Sequence, residues 1–437
     1  MASARWRAKH SGGAARDTQF GKVKSKLSTI ALVNHKPLSD IDGGTLRIRN
    51  IASGLVDRGH EVCFTSWQSS GGPGDPSSPS SSLPFKTILQ KKPAERLFRA
   101  FGRIIAGVTG ESAADIIACN LPTVALRNST ALKSADIVQV EQIWSALFPL
   151  LLRRVSNKVC LLDDHNVEVL LASRLAQYYE SPLASAWVRY VSFLEKVCCN
   201  LADMILVTSE FDRQQLARTH SLSVNKIKVV PNGADVNRYK PDHALGIRTR
   251  KLLGISEDEN VVAFVGRSSY QPNKLAIDYI ESDLAGPILK VHPNTRFLVV
   301  SRDVPSGRER SSAHSDRFVY IPSGDDDRPY INASDVCIAP LTVGSGTRLK
   351  VLNYLACGKP VVSTRIGAEG LRDVGRRAMV VCELKEFPDR LIDLLGDRNR
   401  RAEMSNEARE FVSRNYSWTR SVALLDRIYD GLRTNNA

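Results

Sequence analysis

Short apolar runs alternate with segments of helical periodicity from residue 28 to about residue 415. Several runs are almost continuous in Val, Ile and Leu, which is typical of parallel strands buried on both faces. In the first half of the chain they predict strands over residues 29–33, 61–66, 84–89, 136–141, 158–163, 204–208 and 227–230. The first connector repeats its apolar residues on one helix face and predicts a helix over 45–58. Strands and helices that alternate in this way predict a doubly wound α/β sheet.

The same pattern restarts in the second half of the chain. Its apolar runs predict strands over residues 260–266, 296–301, 317–321, 336–340, 360–364 and 378–382. Between the two sets, Pro231-Asn232-Gly233 is a strong turn signal, and we place the domain boundary at residue 237. Two Rossmann-like parallel sheets would then face each other across a cleft. Open sheets of this type bind ligands beyond the carboxyl ends of their strands.

Composition and charge narrow the class of protein. The chain has 437 residues, enough for two domains, and 43% of them are hydrophobic, as in ordinary globular proteins. No apolar run reaches the ~20 residues that a membrane-spanning helix needs. The net charge of +14 predicts an anionic partner. Nucleic acid is not predicted as that partner, because the charge is dispersed and no aromatic stacking surface or recognition motif accompanies it.

Part of the positive charge lies at the start of the chain. Residues 1–27 hold seven Lys and Arg residues against Asp17 alone and are rich in Ala, Ser and Gly. This composition predicts a disordered basic tail that cannot form a core of its own. A transit peptide is the alternative for so acid-poor a segment, but a solvated tail fits better.

Cysteine usage bears on compartment and on metals. The chain has eight cysteines, with no C-x-x-C pair and no histidine spaced for zinc. Four of them, Cys63, Cys160, Cys337 and Cys382, lie in apolar runs, where a thiol behaves as a small hydrophobe. We therefore predict a reduced, cytoplasmic protein without disulfides or a structural metal.

Two segments combine strand ends with groups that bind anions. Gly43 and Gly44 follow the first predicted strand, where glycines let a phosphate approach the N–H groups of a helix N-terminus. A plain tight turn explains the glycine pair equally well. Arg267 follows a predicted buried strand, and Lys274 is expected to begin the next helix. These two cations predict an anion clamp, with a solvated surface pair as the alternative.

A third anion-binding segment is the glycine-rich turn before residue 350. Ser345, Gly346 and Thr347 precede a predicted helix, so their backbone donors can face an anion. Arg348 and Lys350 point to different faces of that helix, and only one of them can easily join the site.

The candidate for chemistry is His165. It follows a predicted buried strand that ends in Asp163-Asp164, which puts it at the edge of the cleft with Asn166 and Glu168 behind it. A lone histidine is more often structural, but a position at a strand end facing a second domain favours function. No phosphate-binding P-loop, nucleophile elbow or Cys/His nucleophile pair is present, and we assign no metal.

One segment concerns membranes. Residues 91–108 place apolar residues at helical spacing among five Lys and Arg residues. This pattern predicts a basic amphipathic helix that contacts anionic lipid at the inner face of the membrane. A core-packing helix with a solvated basic face fits the same pattern about as well.

Several stretches of the chain together resemble the glycosyltransferases of family 4, the retaining group 1 enzymes with the GT-B fold. They read DGGTLRIRNIASGLVDRGHEV, LLDDHNVE, VTSEFDRQQL, VVPNGADVNRYKP, FVGRSSYQPNK and APLTVGSGTRLKVLNYLACGKPVVSTRIGAEGL. The last is the most diagnostic, and six segments in the same order are hard to produce by chance. The resemblance runs from residue 28 to the end of the chain. It implies an acceptor-side domain over 28–237, a donor-binding domain over 238–415 and a closing helix within 416–437 that crosses back to the first domain.

The resemblance also implies the reaction. The donor would be a nucleotide-diphosphate sugar and the acceptor a glycan, polysaccharide or lipid-linked sugar, with no cofactor or metal. The residues implied in donor binding are Gly43, Gly44, Arg267, Lys274, Ser345, Gly346, Thr347, Arg348 and Asn353. His165 would lie beside the transferring sugar. A front-face mechanism, in which the leaving phosphate assists the acceptor hydroxyl, needs no pair of carboxylates.

The sequence departs from the family pattern in the most diagnostic stretch. Many members carry two glutamates separated by seven residues, and the second commonly holds the ribose hydroxyls. Here those positions are Ser345, which is usual in the GSGTR subgroup, and Asn353. Two alternatives therefore stand beside a transferase: a nucleotide-sugar epimerase or hydrolase on the same fold, and a non-catalytic relative, for which Asn353 is the argument.

Overall fold

The computed structural model contains two parallel β-sheets, one in each half of the chain. It describes residues 28–34, 38, 42–68, 84–91, 130–147, 149–151, 158–179, 182–303, 315–322, 324, 326–371 and 378–434. The predicted tail over 1–27 and residues 92–108 of the predicted basic helix lie outside these ranges. Lys91 was expected in that helix, but it is the last residue of a strand. Of the helices that are described, none is both long and apolar enough to span a membrane.

The first sheet has seven strands in the order β3-β2-β1-β4-β5-β6-β7. They are β1 Thr29–Asn34, β2 Glu61–Gln68, β3 Lys86–Lys91, β4 Ile137–Glu141, β5 Val159–Asp164, β6 Met204–Val207 and β7 Ile227–Val229. The described helices of this half are α1 Gly43–Asp57, α2 Thr130–Ser134, α3 Glu168–Tyr179, α4 Pro182–Leu201 and α5 Glu210–His220. Every strand pair is parallel, so all the carboxyl ends lie at one edge of the sheet.

The second sheet has six parallel strands in the order β10-β9-β8-β11-β12-β13. They are β8 Asn260–Val265, β9 Thr295–Ser301, β10 Phe318–Pro322, β11 Val336–Ala339, β12 Val361–Ser363 and β13 Met379–Val381. The helices are α6 His243–Leu252, α7 Gln271–Tyr279, α8 Ala285–Val291, α9 Arg328–Ala333, α10 Leu349–Ala356, α11 Phe387–Gly396, α12 Arg398–Asn415 and α13 Trp418–Thr434. The predicted boundary at residue 237 falls between the two sheets.

The apolar runs account for this architecture. All thirteen predicted strands are present within two residues of their predicted ends, because they are short apolar runs: β4, β11 and β12 are buried at every position, and β1 and β5 at every position after the first. The prediction of two doubly wound parallel sheets is confirmed.

Helix α1 begins two residues earlier than its periodicity predicts. The carboxylate of Asp42 accepts a hydrogen bond from the Thr45 N–H at 2.8 Å, and the Thr45 hydroxyl accepts one from the Asp42 N–H at 2.9 Å. This capping box extends the helix to Gly43. Gly43 and Gly44 are therefore the first turn of the helix and not a loop before it.

Helix α13 crosses from the second domain back to the first. A Cβ added to Gly54 in α1 would lie 2.6 Å from Cγ2 of Val422, so the two helices approach as closely as only a glycine permits. Leu425 and Tyr429 are fully buried in the core of the first sheet, with Ile48. The last helix of the chain is thus part of the first domain's core.

Candidate functional site

His165 lies directly after β5, at the carboxyl edge of the first sheet, and is 5% exposed. Its Nε2 is 2.8 Å from Oε2 of Glu141, the last residue of the neighbouring strand β4. Its Nδ1 is buried and has no hydrogen-bond partner among the described residues. One ring nitrogen of His165, Nε2, is therefore held by Glu141, and the other, Nδ1, is available to a bound molecule.

The free side of His165 faces the first turn of α1. A Cβ added to Gly44 would lie 3.2 Å from Nδ1 of His165 and 3.2 Å from the amide nitrogen of Gln142. Gln142 has φ 64° and ψ 160°, a strained conformation for a residue other than glycine. On the other side, a Cβ on Gly43 would meet Leu349 of the second domain at 3.7 Å. The two glycines keep this space open between the domains.

The glycine-rich turn of the second domain packs onto the same strand end. Gly346 has φ 76°, and a Cβ there would lie 2.5 Å from Oδ1 of Asn166 and 2.6 Å from the carbonyl oxygen of His165. The Ser345 hydroxyl accepts a hydrogen bond from the Val167 N–H at 3.2 Å. Ser345 and Gly346, which are predicted to bind the sugar donor, thus lie beside His165. Ser345 follows His165 by 180 residues in the sequence.

Thr347 is held between the two domains. Its N–H donates to the hydroxyl of Thr208 at 3.4 Å, and its carbonyl accepts a hydrogen bond from the Asn232 amide at 3.2 Å. The backbone N–H that was expected to face an anion is therefore already used by the first domain. The turn in this structure holds the two halves of the cleft together.

Arg348 turns back onto its own loop. Its Nη1 donates to the carbonyl of Ser345, while Nε and Nη2 are buried without a partner among the described residues. Burial lowers the pKa of the guanidinium. Asn353, one turn further along α10, is half-buried, and its side chain makes no hydrogen bond to the described residues. Both side chains thus have hydrogen-bonding capacity left for a ligand.

Arg267 and Lys274, the predicted anion clamp, pair with acidic residues in this structure, and their role in binding an anion stays a prediction. The Arg267 side chain is 49% exposed, with its Nε 3.9 Å from the carboxylate of Asp303. Lys274 is the fourth residue of α7 and not the first, is 50% exposed, and pairs with Asp278 at 2.8 Å along the helix. The structure places both near the carboxyl end of β8 but leaves them pointing to solvent and to neighbouring acids.

Lys350 takes the place expected of Lys274. Its Nζ donates to Oδ1 of Asn273 at 2.6 Å, in the first turn of α7, and lies 4.2 Å from the centre of the Phe264 ring. A Cβ added to Gly266 would be 2.6 Å from the same Nζ. Desolvation and the nearby charge of Arg348 lower the pKa of Lys350 to about 7. An ammonium group thus lies beneath the strand end and helix N-terminus that suit a phosphate.

Two family models match this chain. Residues 41–238 match the model for glycosyltransferase family 4, and residues 259–397 match the model for glycosyl transferases group 1. Together the two matches cover more than half of the chain. The protein is a member of the group 1, family 4 glycosyltransferases.

Curated relatives and solved structures agree with this membership. A D-inositol 3-phosphate glycosyltransferase of Nocardia farcinica is 27% identical over 275 residues, which are 59% of this chain and 58% of the relative. The chain therefore spans a little over half the length of that relative. Sucrose-phosphate synthase from Thermosynechococcus elongatus superposes with a TM-score of 0.68 at 19% identity, over 93% of this chain and 99% of that one. HepE of Anabaena, solved with UDP-glucose, gives 0.67 at 14% identity, over 92% and 99%. These likenesses confirm the GT-B fold.

The site of this glycosyltransferase contains buried groups that sequence reasoning missed. Glu141 orients His165, and the guanidinium of Arg47 donates to both carboxylate oxygens of Asp163, at 3.1 and 3.0 Å, and to Asn232 at 3.0 Å. Arg47 is 1% exposed. A charged residue on the apolar face of α1 was the available signal, because a buried arginine needs a carboxylate partner.

Within the described part of the chain, Glu141, Asp163 and His165 bring ligand atoms within 4.8 Å of one another. Such a group has the composition of a metal site. However, Arg47 already neutralises Asp163. The second carboxylate oxygen of Glu141, Oε1, accepts a hydrogen bond from Gln139 at 2.8 Å. The donor set fits a buried hydrogen-bond network better than a divalent cation. Independence from metal stays a prediction.

Proposed function

We propose that this glycosyltransferase moves a hexose from a nucleotide-diphosphate sugar to a glycan, polysaccharide or lipid-linked acceptor. It would do so with retention of anomeric configuration and without a metal or cofactor. One observation carries the proposal: the buried Nδ1 of His165, which has no partner among the residues that the structure describes, faces Gly44 where the carboxyl ends of the two sheets meet. A reacting sugar placed there touches both domains at once.

The donor diphosphate is proposed to lie over Gly266, at the N-terminus of α7. Lys350, which is partly buried, supplies the cation beside Gly266. Arg267 and Lys274 can swing in from the solvent side, since half of each side chain is exposed, and would contribute less. Positive charge at this point stabilises the leaving diphosphate as the glycosidic bond breaks. Asn353 is proposed to hydrogen-bond the ribose hydroxyls, because no side-chain hydrogen bond from the described part of the chain occupies its amide.

His165 is proposed to act on the transferring sugar. When the carboxylate of Glu141 accepts the Nε2–H, the lone pair of a neutral imidazole is on Nδ1. Nδ1 then accepts a hydrogen bond from a sugar hydroxyl. This contact orients the sugar ring while the leaving phosphate takes the proton of the acceptor hydroxyl.

Two acceptor classes deserve direct comparison. A lipid-linked acceptor accords with the prediction of a membrane-binding helix over 91–108, which lies outside the described residues except for Lys91. A phosphorylated polyol accords with the names of the curated relatives and with the net charge of +14. We favour a glycan or lipid-linked acceptor and treat the polyol phosphate as the second candidate.

A two-stage experiment tests the proposal. Thermal stabilisation by a panel of nucleotide sugars identifies the donor, because a ligand that binds only the folded state raises the melting temperature. Proton NMR of the product formed with each acceptor class, with and without EDTA, then reports its anomeric configuration. We expect an α-configured product from an α-linked donor, unaffected by EDTA. Donor turnover that needs no acceptor would indicate the epimerase or hydrolase, and donor binding without turnover would indicate the non-catalytic relative.

A further inference from the structure

A chain of three buried hydrogen bonds joins the last helix of the protein to His165. The Tyr429 hydroxyl in α13 donates to Oε1 of Gln139 in β4 at 2.6 Å. Nε2 of Gln139 donates to Oε1 of Glu141 at 2.8 Å, and Oε2 of Glu141 is 2.8 Å from Nε2 of His165. Tyr429 and Gln139 are fully buried, and Glu141 is 1% exposed. The three hydrogen bonds join protein side chains only.

We infer that Tyr429 is a positioning residue for His165, which sets the tautomer of the imidazole through Gln139 and Glu141. The inference rests on the proposed function of His165. Tyr429 is fully buried and touches neither sugar nor nucleotide, so it acts only by fixing the side chain of Gln139.

The first link fixes the direction of the Gln139 amide. Burial and the nearby carboxylate of Glu141 hold the pKa of the Tyr429 phenol well above its ordinary value, so the hydroxyl keeps its proton and donates. An amide oxygen that accepts this bond turns its NH₂ group the opposite way. There it faces Glu141 and, at 3.3 Å, the carboxylate of Asp163.

The second link favours the ionised form of Glu141. Burial and the charge of Asp163 raise the pKa of Glu141, and hydrogen bonds from His165 and Gln139 oppose that shift. Asp163 is itself neutralised by Arg47. Removing the NH₂ donors of Gln139 would therefore favour the protonated form of Glu141. The pair then takes up one proton from solvent at Nδ1 while the Nε2 hydrogen passes to Glu141, which leaves a protonated Glu141 donating to Nε2 and removes the Nδ1 acceptor that faces the sugar.

Helix α13 is held firmly enough to transmit this effect. Asp426, one turn before Tyr429, pairs with Nε of Arg58 at 2.5 Å and with Nε2 of His60 at 2.9 Å. Val422 packs against Gly54 of α1. The charged groups near the hydroxyl of Tyr429 are therefore Glu141, Asp163, Arg47 and Asp426. Asp163 pairs with Arg47 and Asp426 pairs with Arg58, and the Tyr429→Phe substitution leaves both ion pairs in place.

The test compares Tyr429→Phe with a matched hydroxyl deletion, Tyr416→Phe. The Tyr416 hydroxyl bonds the carbonyl of Gly370 at 3.5 Å, outside the hydrogen-bond chain. We expect Tyr429→Phe to lower kcat about tenfold, the change that corresponds to one ordinary hydrogen bond lost in the transition state, with the donor KM unchanged. The acid limb of the pH–rate profile should move to higher pH. Tyr416→Phe should leave both unchanged.

A second variant separates positioning from a loss of packing. Gln139→Leu cuts the same connection, so adding Tyr429→Phe to Gln139→Leu should lower kcat no further. Additive losses in the double variant, or a wild-type pH profile in Tyr429→Phe, would overturn the inference.

Nitrogen NMR of histidine-labelled protein reads the tautomer without relying on turnover. We expect the Nε2–H tautomer of His165 in the wild type and a shift toward Nδ1–H in Tyr429→Phe. Identical His165 spectra in the two proteins contradict the inference, whatever the activity. Full turnover in His165→Ala, by contrast, contradicts the proposed function and not the tautomer effect.

Discussion

Replacing Lys350 by methionine removes the ammonium group beneath Gly266 and keeps a side chain of similar length. A charge-assisted hydrogen bond to a phosphate contributes about 1.5–3 kcal/mol. With a pKa of about 7, Lys350 is mostly charged at pH 6, so the full contribution is available there. Charging it at pH 8 costs roughly 1.4 kcal/mol. We therefore expect Lys350→Met to weaken nucleoside diphosphate binding about ten- to hundredfold at pH 6 and by roughly tenfold or less at pH 8.

Calorimetry in buffers of different ionisation enthalpy measures the same effect directly. A phosphate that binds Lys350 raises the pKa of the amine, so binding at pH 8 should take up about 0.9 of a proton in the wild type. The Lys350→Met variant should take up almost none.

Lys274→Met is the matched control, because Lys274 is half exposed and already pairs with Asp278. We expect its affinity to change about threefold or less at either pH. A large loss in Lys274→Met together with wild-type binding in Lys350→Met would refute the reasoning and restore the clamp that the sequence alone predicts.

Three further predictions concern binding and stability. Asn353→Glu should tighten nucleoside diphosphate binding by ~1 kcal/mol, measured by calorimetry, and the gain should vanish with a 2′,3′-dideoxyribose analogue; weaker binding would mean a remodelled ribose site. Burial and the charge of Glu195 raise the pKa of Asp164 well above its ordinary value, so the free energy of unfolding falls as the pH rises from about 4 toward the folded-state pKa. Asp164→Asn should remove that slope in urea titrations between pH 5 and pH 8, and an unchanged slope would assign it to other groups. Gly346→Ala should cost about 1–2 kcal/mol of stability from its φ of 76° alone, and a melting temperature equal to the wild type would show that the turn adapts.

The strands could be predicted from the sequence because each is a short apolar run with turn signals on both sides. The position of His165 at a strand end could be predicted as well, since the apolar run before it ends in two aspartates that mark the carboxyl end of β5. Both signals are local, because each lies within a few residues of the feature that it predicts.

The sequence could not show that Lys350 is the cation beside Gly266. Periodicity showed that Arg348 and Lys350 point to different faces of α10, but not which face lies under Gly266. That depends on how α10 packs against β8 and α7. Lys274 looked better placed because its helix begins close to β8, and the acid one turn along, Asp278, draws its side chain away.

The buried network has no local signal at all. Tyr429 and Gln139 are 290 positions apart, and a tyrosine on the apolar face of a helix reads as core packing. Arg47 was the one visible irregularity, a charge among the apolar positions of α1. Its partner, Asp163, is 116 positions away, so the pairing appears only when α1 is laid against β5.

Kinetics of His165→Ala with the identified donor test the central claim most directly. Because His165 is proposed to contact the reacting sugar, we expect kcat to fall about a hundredfold or more while the donor KM stays within about threefold of the wild type. Unchanged kcat with a raised donor KM would show that His165 only binds the donor. That result would contradict the assignment of the reaction to the junction of Gly44, His165 and Gly346.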